Sequence, residues 1–381
     1  TFRYIRAAAG AEINTTVNGA NVSCPAYSGT GTAPTCTITN FLSFANAANL
    51  PNTAGAPIPT SINPIIQQRI ISQLPTQGNT PGGDSLNTTG FAVNRSAANE
   101  GKRYAGRIDV DLTDKDSING VYAYNDELNV RNDLDPSGFD PIPRGSQTSS
   151  NKTLALAYRR IVSERLVNEL RGGLFFSEVP FQRDIPNPTD YLLNVQLVSN
   201  PENNFQNQGR SVKTYNLQDN VDWILGNHSL RMGGQIQKFR PTAYNFAGTQ
   251  PLLFIQPVTG ITPVFAQANF ANFGGISTAQ LGTANSYLGL LGGFVVQGQQ
   301  TFNLPSIDAG AFGVGPSIQP FEYENYSAYA ADRWQITNNL TLNFGVRYEL
   351  YTPLRIANGL ALEPVIEGDP VATILNPAGS S

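Results

Sequence analysis

Residues 324–352, ENYSAYAADRWQITNNLTLNFGVRYELYT, carry the clearest alternation of apolar and polar positions in the chain. In the second half Leu340, Leu342, Phe344, Val346, Tyr348 and Leu350 fall on one side, and Thr341, Asn343, Gly345, Arg347 and Glu349 on the other. That period of two predicts a strand. The first half sets Tyr326, Ala328, Ala330 and Trp334 in one row with Asp332 among them, and Ile336-Thr337-Asn338-Asn339 predicts a tight turn. Strands this long exceed the usual five or six residues of a soluble sheet. A tilted strand that crosses a bilayer needs about 9 to 11 residues.

The same unit recurs upstream. Tyr104, Ile108, Val110 and Leu112 oppose Arg103, Arg107, Asp109 and Asp111, a charged row that a dry core would not accept unpaired and a wet lumen would. After a turn at 114–116, Ile118, Tyr122 and Tyr124 continue the apolar side opposite Asn119 and Asn125. A second hairpin descends through Leu154, Leu156 and Tyr158 and returns through Leu166, Leu170, Leu174 and Phe176. A third runs from Tyr215, Leu217, Val221 and Trp223 through Gly226-Asn227-His228 to Leu230, Met232 and Ile236. Asp219 falls in its apolar row and predicts a bulge or a local lumen contact.

Long polar stretches at 128–150, 179–210, 240–283 and 303–322 separate the hairpins. Structureless connections of that length are uncommon in compact soluble domains, and short turns at one end with long loops at the other mark outer-membrane barrels. If all tight turns share one side, one strand must descend after 283 and another must return before 303. SYLGLLGGFVVQGQQTF, turning at Leu291-Gly292-Gly293, is read as that pair. The expected fold is therefore all-β: an antiparallel meander of about ten strands over 103–354, part of a transmembrane β-barrel with long extracellular loops. Residues 1–102 read as an irregular extracellular loop region, and 355–381 as the start of a further loop. Within the first, SINPIIQQRIISQLP predicts one short helix near 63–74, with Asn63 as its cap, Pro64 at the first helical position and Pro75 as its stop. Cys24 and Cys36 are the only cysteines, with eleven residues between them, and read either as a disulfide that staples a surface loop or as two thiols.

Composition narrows the class. Charged residues make up 14% of the chain, below the roughly 25% of an ordinary soluble protein, while mean hydropathy is -0.22 and no run of 18 apolar residues exists. A helical membrane protein is excluded. The net charge of -4 argues against a nucleic-acid partner. His228 is the only histidine and lies in the turn GNHSL, so a Ser-His-Asp triad or multi-histidine metal site lacks its central group. GAFGVG at 310–315 misses the spacing of a phosphate-binding glycine loop. No catalytic group, metal site or cofactor is expected. Candidate lumen-facing residues are Arg107, Asp109, Asp111, Asn343, Arg347 and Glu349. Candidates for the lipid face or its aromatic belts are Tyr104, Leu112, Trp223, Trp334, Leu342, Phe344 and Tyr348.

The segments RYAGRIDVDLTDKDSINGVYAY, YRRIVSERLVNELRGGLFF, YNLQDNVDWILGNHSLRMGGQIQKF and YSAYAADRWQITNNLTLNFGVRYELYTPL resemble the barrel of TonB-dependent outer-membrane receptors. The likeness is strongest to the Oar-like group, which carries a carboxypeptidase-regulatory-like domain. It implies a 22-stranded barrel closed by its own plug domain, in contact with outer-membrane lipid, that imports a bulky extracellular ligand with energy passed by TonB. No stretch matches the plug, the TonB box, a signal peptide or a closing aromatic strand, so the resemblance implies an internal piece of such a barrel.

Three readings of function follow: a receptor barrel for energised uptake, a passive outer-membrane porin or adhesin barrel, and a soluble secreted glycan-binding β-sheet protein. Alternating strands suit the first two equally. An upstream plug domain separates the first from the second, and solubility without detergent marks the third.

Overall fold

A computed structural model describes residues 1–50, 58–185 and 190–360. Its first 98 residues are not irregular. Four short strands, β1 (Phe2–Ile5), β2 (Ile13–Val17), β3 (Ala20–Cys24) and β4 (Thr35–Ile38), form an antiparallel sheet in the order β1-β4-β3-β2. Runs of four or five residues between Gly, Pro and Thr turns are too short to show a period, although Ala20, Val22 and Cys24 alternate cleanly into the core. Cys24 and Cys36 are joined by a disulfide, with Cα atoms 4.2 Å apart. Helices α1 (Phe41–Ala47) and α2 (Pro64–Arg69) follow. Asn63 accepts from the amides of Ile65 and Ile66 at the start of α2, Pro64 takes the first helical position, and a 3-10 turn at Ile71–Gln73 precedes Pro75.

The large sheet is built from long strands: β5 (Asn99–Asp111), β6 (Asp116–Val130), β7 (Gly145–Ser163) and β8 (Leu166–Arg183). After the short β9 (Leu192–Val195) come β10 (Gln208–Leu225) and β11 (His228–Asn245). Then β12 (Leu252–Ile255), helix α3 (Thr278–Gly292) and β13 (Val295–Gln299) intervene before β14 (Ser317–Thr337), β15 (Leu340–Tyr351) and the two-residue β16 (Arg355–Ile356). The order β15-β14-β11-β10-β8-β7-β6-β5 is a meander, with β16 added to β14. The sheet thus has eight long strands of 12 to 21 residues rather than ten.

The missing hairpin is α3. Ser277 caps the helix by accepting from the amide of Gln280, and Gly293, at φ +66°, ends it in the left-handed conformation that glycine tolerates. Leu281, Ala284, Leu288 and Leu291 recur at helical spacing and pack into the loop core. Leu291–Gly293 is therefore a helix end, and the parity of the meander holds because β11 pairs directly with β14.

Register makes the alternation a property of the whole sheet. Val110, Ile118, Tyr158, Leu170, Asp219, Gly234, Ala328 and Tyr348 stand in one transverse row. The next row on that face is Ile108, Gly120, Leu156, Gly172, Leu217, Ile236, Tyr326 and Leu350. Between them, on the opposite face, lie Asp109, Asn119, Ala157, Arg171, Gln218, Gln235, Ser327 and Glu349. One face is apolar across all eight strands and the other polar. No second sheet covers the apolar one: Ile108 and Val346 are each 70% exposed and Phe344 55%.

The apolar band also drifts. Arg160 on β7 shares a row with Val346 on β15 through Asn168, Val221, Met232 and Ala330, and Tyr122 and Leu154 share one with Lys238 and Glu324. From β7 to β15 the band moves about two rows toward the tight turns. Two rows are four residues, roughly 13 Å along a strand, over five strand spacings of roughly 24 Å, which gives a tilt of roughly 30°. Barrel strands tilt by about 35 to 45° so that a level band of hydrocarbon crosses them obliquely. A sandwich core imposes no such drift.

A positive charge on the apolar face is expected to destabilise the folded protein. In the full-length protein Val346→Arg should cost about 2 to 4 kcal/mol and Asn343→Arg far less, read by reversible unfolding in lipid; equal costs would mean that the faces are inverted.

Candidate functional site: the polar face and the loop cleft

The polar face carries Arg107, Asp109, Asp111, Asn343, Arg347 and Glu349 together. Arg107 binds Asp109 through two bonds of 2.8 Å, and Arg347 donates to Glu349 at 2.5 Å, which also accepts from the Tyr351 hydroxyl at 2.6 Å. These pairs run two residues along one strand rather than across strands. Cross-strand links also occur: Arg103 reaches Asn125 and Glu127 on β6, Arg231 meets Asp222 at 3.0 Å, and the Tyr329 hydroxyl donates to Asn220 at 3.0 Å. Cations and carboxylates alternate, so the surface presents a hydrogen-bonding wall of no dominant sign, suited to a watery lumen.

Tyr104, Leu342, Phe344 and Tyr348 stand on the apolar face, and Leu112 follows Asp111 on that side by alternation. Tyr104 stacks on Tyr124 with centroids 6.2 Å apart near the loop end. Trp223 and Trp334 edge the band at the turn end, where Trp334 stacks on His228 at 5.2 Å. His228 Nδ1 lies 2.6 Å from Asp332, which explains the carboxylate in that row. Asp219 pairs in unbroken register on both sides, without a bulge. It accepts at 2.7 Å from the side chain of Asn168 on β8, on the apolar face rather than in the lumen.

The connections 131–144, 184–207 and 246–316 leave the same end of the sheet as residues 1–98, and their described residues fold with those of 1–50 and 58–98. Phe2, Tyr4, Phe41, Phe44, Phe265, Phe270 and Leu288 share one buried core, while Ile66, Ile70, Leu193, Val195, Ile255 and Leu290 share a second beneath the small sheet β13-β12-β9. Helix α3 contributes to both. Tyr4 is buried with its hydroxyl donating to the carbonyl of Phe273 at 2.5 Å, and burial pushes its ionisation well above the usual tyrosine range.

Ion pairs lock this cap to the strand ends. Asp135, wholly buried, accepts from Arg183 at 2.7 Å and from Ser137. Burial would raise its carboxyl, but the bonds from Ser137 and Arg183 outweigh that and hold it below the ordinary aspartate range. Arg95 donates to the carbonyls of Asp135, Ser137, Gly138 and Asp140, and Arg144 bonds Asp140 at 2.5 Å. Arg69 grips Glu202 through bonds of 2.5 and 2.8 Å, donates to the Tyr191 carbonyl at 2.7 Å and lies 4.7 Å over the Tyr191 ring. Burial opposes the Arg69 charge, yet the bond to Glu202 keeps it firmly ionised. Among these groups opens a cleft of about 910 Å³ lined by Gln68, Arg69, Phe139, Arg144, Arg183 and Glu202, beside a second of about 610 Å³ that shares Phe91, Gly138, Phe139 and Glu202. Among the described residues no cluster of His, Cys, Asp and Glu is placed to hold a metal ion.

None of these cleft residues stood out in the sequence. Arg69 and Glu202 are 133 residues apart and Asp135 and Arg183 48 apart; only DPSG at 135–138 offered a local signal, an aspartate-capped turn.

The profile of the outer membrane beta barrel domain family matches residues 4–363, which span both the cap and the long strands. This chain belongs to that family. It lies in the outer membrane, which overturns the soluble secreted reading. The barrel chain is similar to the ferric-catecholate import receptor Fiu of Escherichia coli K12. Closed and open forms of Fiu align at TM-scores of 0.36 and 0.35 and 15% and 14% identity, covering 68% of this chain and 35% and 38% of theirs. It is also similar to the outer membrane transporter YddB of Escherichia coli, with a TM-score of 0.27, 11% identity, and coverage of 66% of this chain and 34% of that one. The chain thus spans little more than a third of the length of these solved structures. No curated protein matches the chain.

Removing the Asp135 carboxylate leaves Arg183 charged and buried. Asp135→Ala should therefore destabilise the cap by about 3 to 5 kcal/mol, read as faster amide exchange over 131–144 and 203–207 with the long strands unchanged. Asp84 offers a pH test. Burial raises its carboxyl, but bonds from Asn87, Thr88 and Leu86 lower it from 3.8 to about 2. Its stabilising effect is complete above pH 3.8 and lost as pH falls through about 2. The stability gap between wild type and Asp84→Asn in urea should be present at pH 5 and close near pH 2.

Proposed function

We propose that this chain is part of the barrel of an outer-membrane receptor that imports a bulky ligand by energised transport. In that reading a plug domain of the same protein fills the lumen behind the polar face, TonB supplies the energy, the cap faces outward and the tight turns face the periplasm. The carrying observation is the cap itself. A passive pore needs an open mouth, whereas here the connections share two dry cores and enclose a polar cleft with both charges and the aromatic rings Phe91 and Phe139 on its walls. Clefts of that size take ligands rather than ions. The four-segment resemblance to TonB-dependent receptors supports the same reading, and the Oar-like group is the branch it favours.

The porin alternative is tested in planar bilayers. The full-length protein should show no steady conductance until its plug is removed; stable ohmic conductance of the intact protein would replace uptake with passive diffusion. Sidedness is tested by labelling intact cells with an impermeant thiol reagent after Ala309→Cys or Asn227→Cys, both exposed sites. Ala309→Cys should react and Asn227→Cys should not, and the reverse would invert the topology.

A further inference from the structure

The two edges of the apolar band differ in a way that barrel architecture does not require. At the turn end the border is made by Trp223, His228 and Trp334. At the loop end, the first residue beyond the band on β5, β7, β10 and β11 is a lysine in each case: Lys102, Lys152, Lys213 and Lys238. Lys238 is bound to Glu324 at 2.5 Å, and Lys102 pairs in register with Asp126. Lys152 and Lys213 are different. Both are exposed, both stand in register with Phe176, and Lys213 is in turn opposite Arg240. Three cations thus occupy a single row over three strand spacings, roughly 14 Å. Two carboxylates border the row: Glu178, two residues beyond Phe176 on β8, and Glu322, which stands 3.9 Å from Arg240 and also 3.9 Å from Arg355. The balance of the row remains positive, and long stems let the lysines lie along Phe176 while their ammonium groups reach the headgroup layer.

We propose that Lys152, Lys213 and Arg240 form a binding surface for a membrane glycolipid whose headgroup carries two phosphomonoesters. A headgroup with a single phosphodiester covers about one strand spacing and, in an ethanolamine lipid, brings an ammonium of its own against the lysines. Two phosphates on a disaccharide cover the row: one meets the Arg240 fork with Lys213, the other meets Lys152, as charge-assisted bonds of the kind guanidinium and ammonium groups make with phosphate. This inference rests on the outer-membrane location, on the register of the strands and on the outward-facing loop end proposed above, and does not need the uptake reading.

The test uses the full-length protein in detergent micelles, with native mass spectrometry to count retained lipid. Wild type should retain a bis-phosphorylated glucosamine-disaccharide lipid at least ten times better than phosphatidylethanolamine, and removal of one phosphate from the glycolipid should weaken retention several-fold. K152Q/K213Q should fall to the phosphatidylethanolamine level, K152R/K213R should keep the wild-type value, and K115Q at the turn end should change nothing. Heat-modifiable migration on gels verifies that each variant is folded. Equal retention of both lipids by wild type, or unchanged glycolipid retention in folded K152Q/K213Q, overturns the proposal. Because the wild-type arms need no variant, a failure of the glutamine variant to fold leaves the question decided by the two lipids.

Discussion

Hydrocarbon offers no partner for a backbone amide or carbonyl, and each one left unpaired there costs several kcal/mol. That constraint explains the plainest feature of the large sheet, its unbroken ladders. From β5 to β14 the pairing runs residue by residue across the apolar band, and the shifts of register between Ile161 and Ser163 and between Gln335 and Thr337 fall at the tight turns, outside it. Even Asp219, the residue most at odds with its row, leaves the ladder intact and is accommodated by a side chain, Asn168. Once the ladder is fixed, alternation decides which side chains meet lipid and which meet water, and a charged residue two positions away from a leucine is directed to one face or the other by parity alone.

The strands outlast the membrane. With up to 21 residues they rise beyond the band at the loop end, and there the constraint changes: water returns, and connections can fold as a soluble domain does. The cap uses ordinary means. Aromatic residues from 1–50 pack against those of 265–273, the disulfide closes β3 on β4's approach, and buried ion pairs such as Asp135 with Arg183 hold loops to strand ends. Buried pairs of this kind add little net stability over an apolar contact but are costly to break, so they fix where the loops sit. Strand tilt, an apolar wall, a polar wall and a pinned cap together describe a barrel wall whose loop end carries a folded domain of its own.

Much of the sheet was legible because period two survives in a single sequence. Leu340 to Leu350, Tyr104 to Leu112 and the Gly226-Asn227 turn each announce themselves within about ten residues. Apart from helix α2, which Asn63 and Pro64 mark, the cap was not legible, and the reasons are physical. β1 to β4 are too short for a period, and the pairs that shape the cleft join residues dozens to more than a hundred positions apart. α3 reads as half of a hairpin because its second half, residues 286–292, is short, glycine-rich and mostly apolar and so resembles a buried strand; Ser277 and Gly293, its cap and its stop, are the signals that distinguish it. The parity argument failed for a simple reason, since zero strands satisfy it as well as two.

The central claim is that one continuous face of eight tilted strands lies in hydrocarbon. Spin labels placed one at a time at 340–350 on β15 and at 152–160 on β7, in the full-length protein in lipid, would report oxygen accessibility against that of a water-soluble relaxant. Accessibility to oxygen should alternate with period two, peaking at even positions, and the depth maxima should lie near Leu156 on β7 and near Val346 on β15, two rows apart in the register. Alternation without that offset would contradict the tilt, and uniform water accessibility along both strands would contradict the membrane face itself.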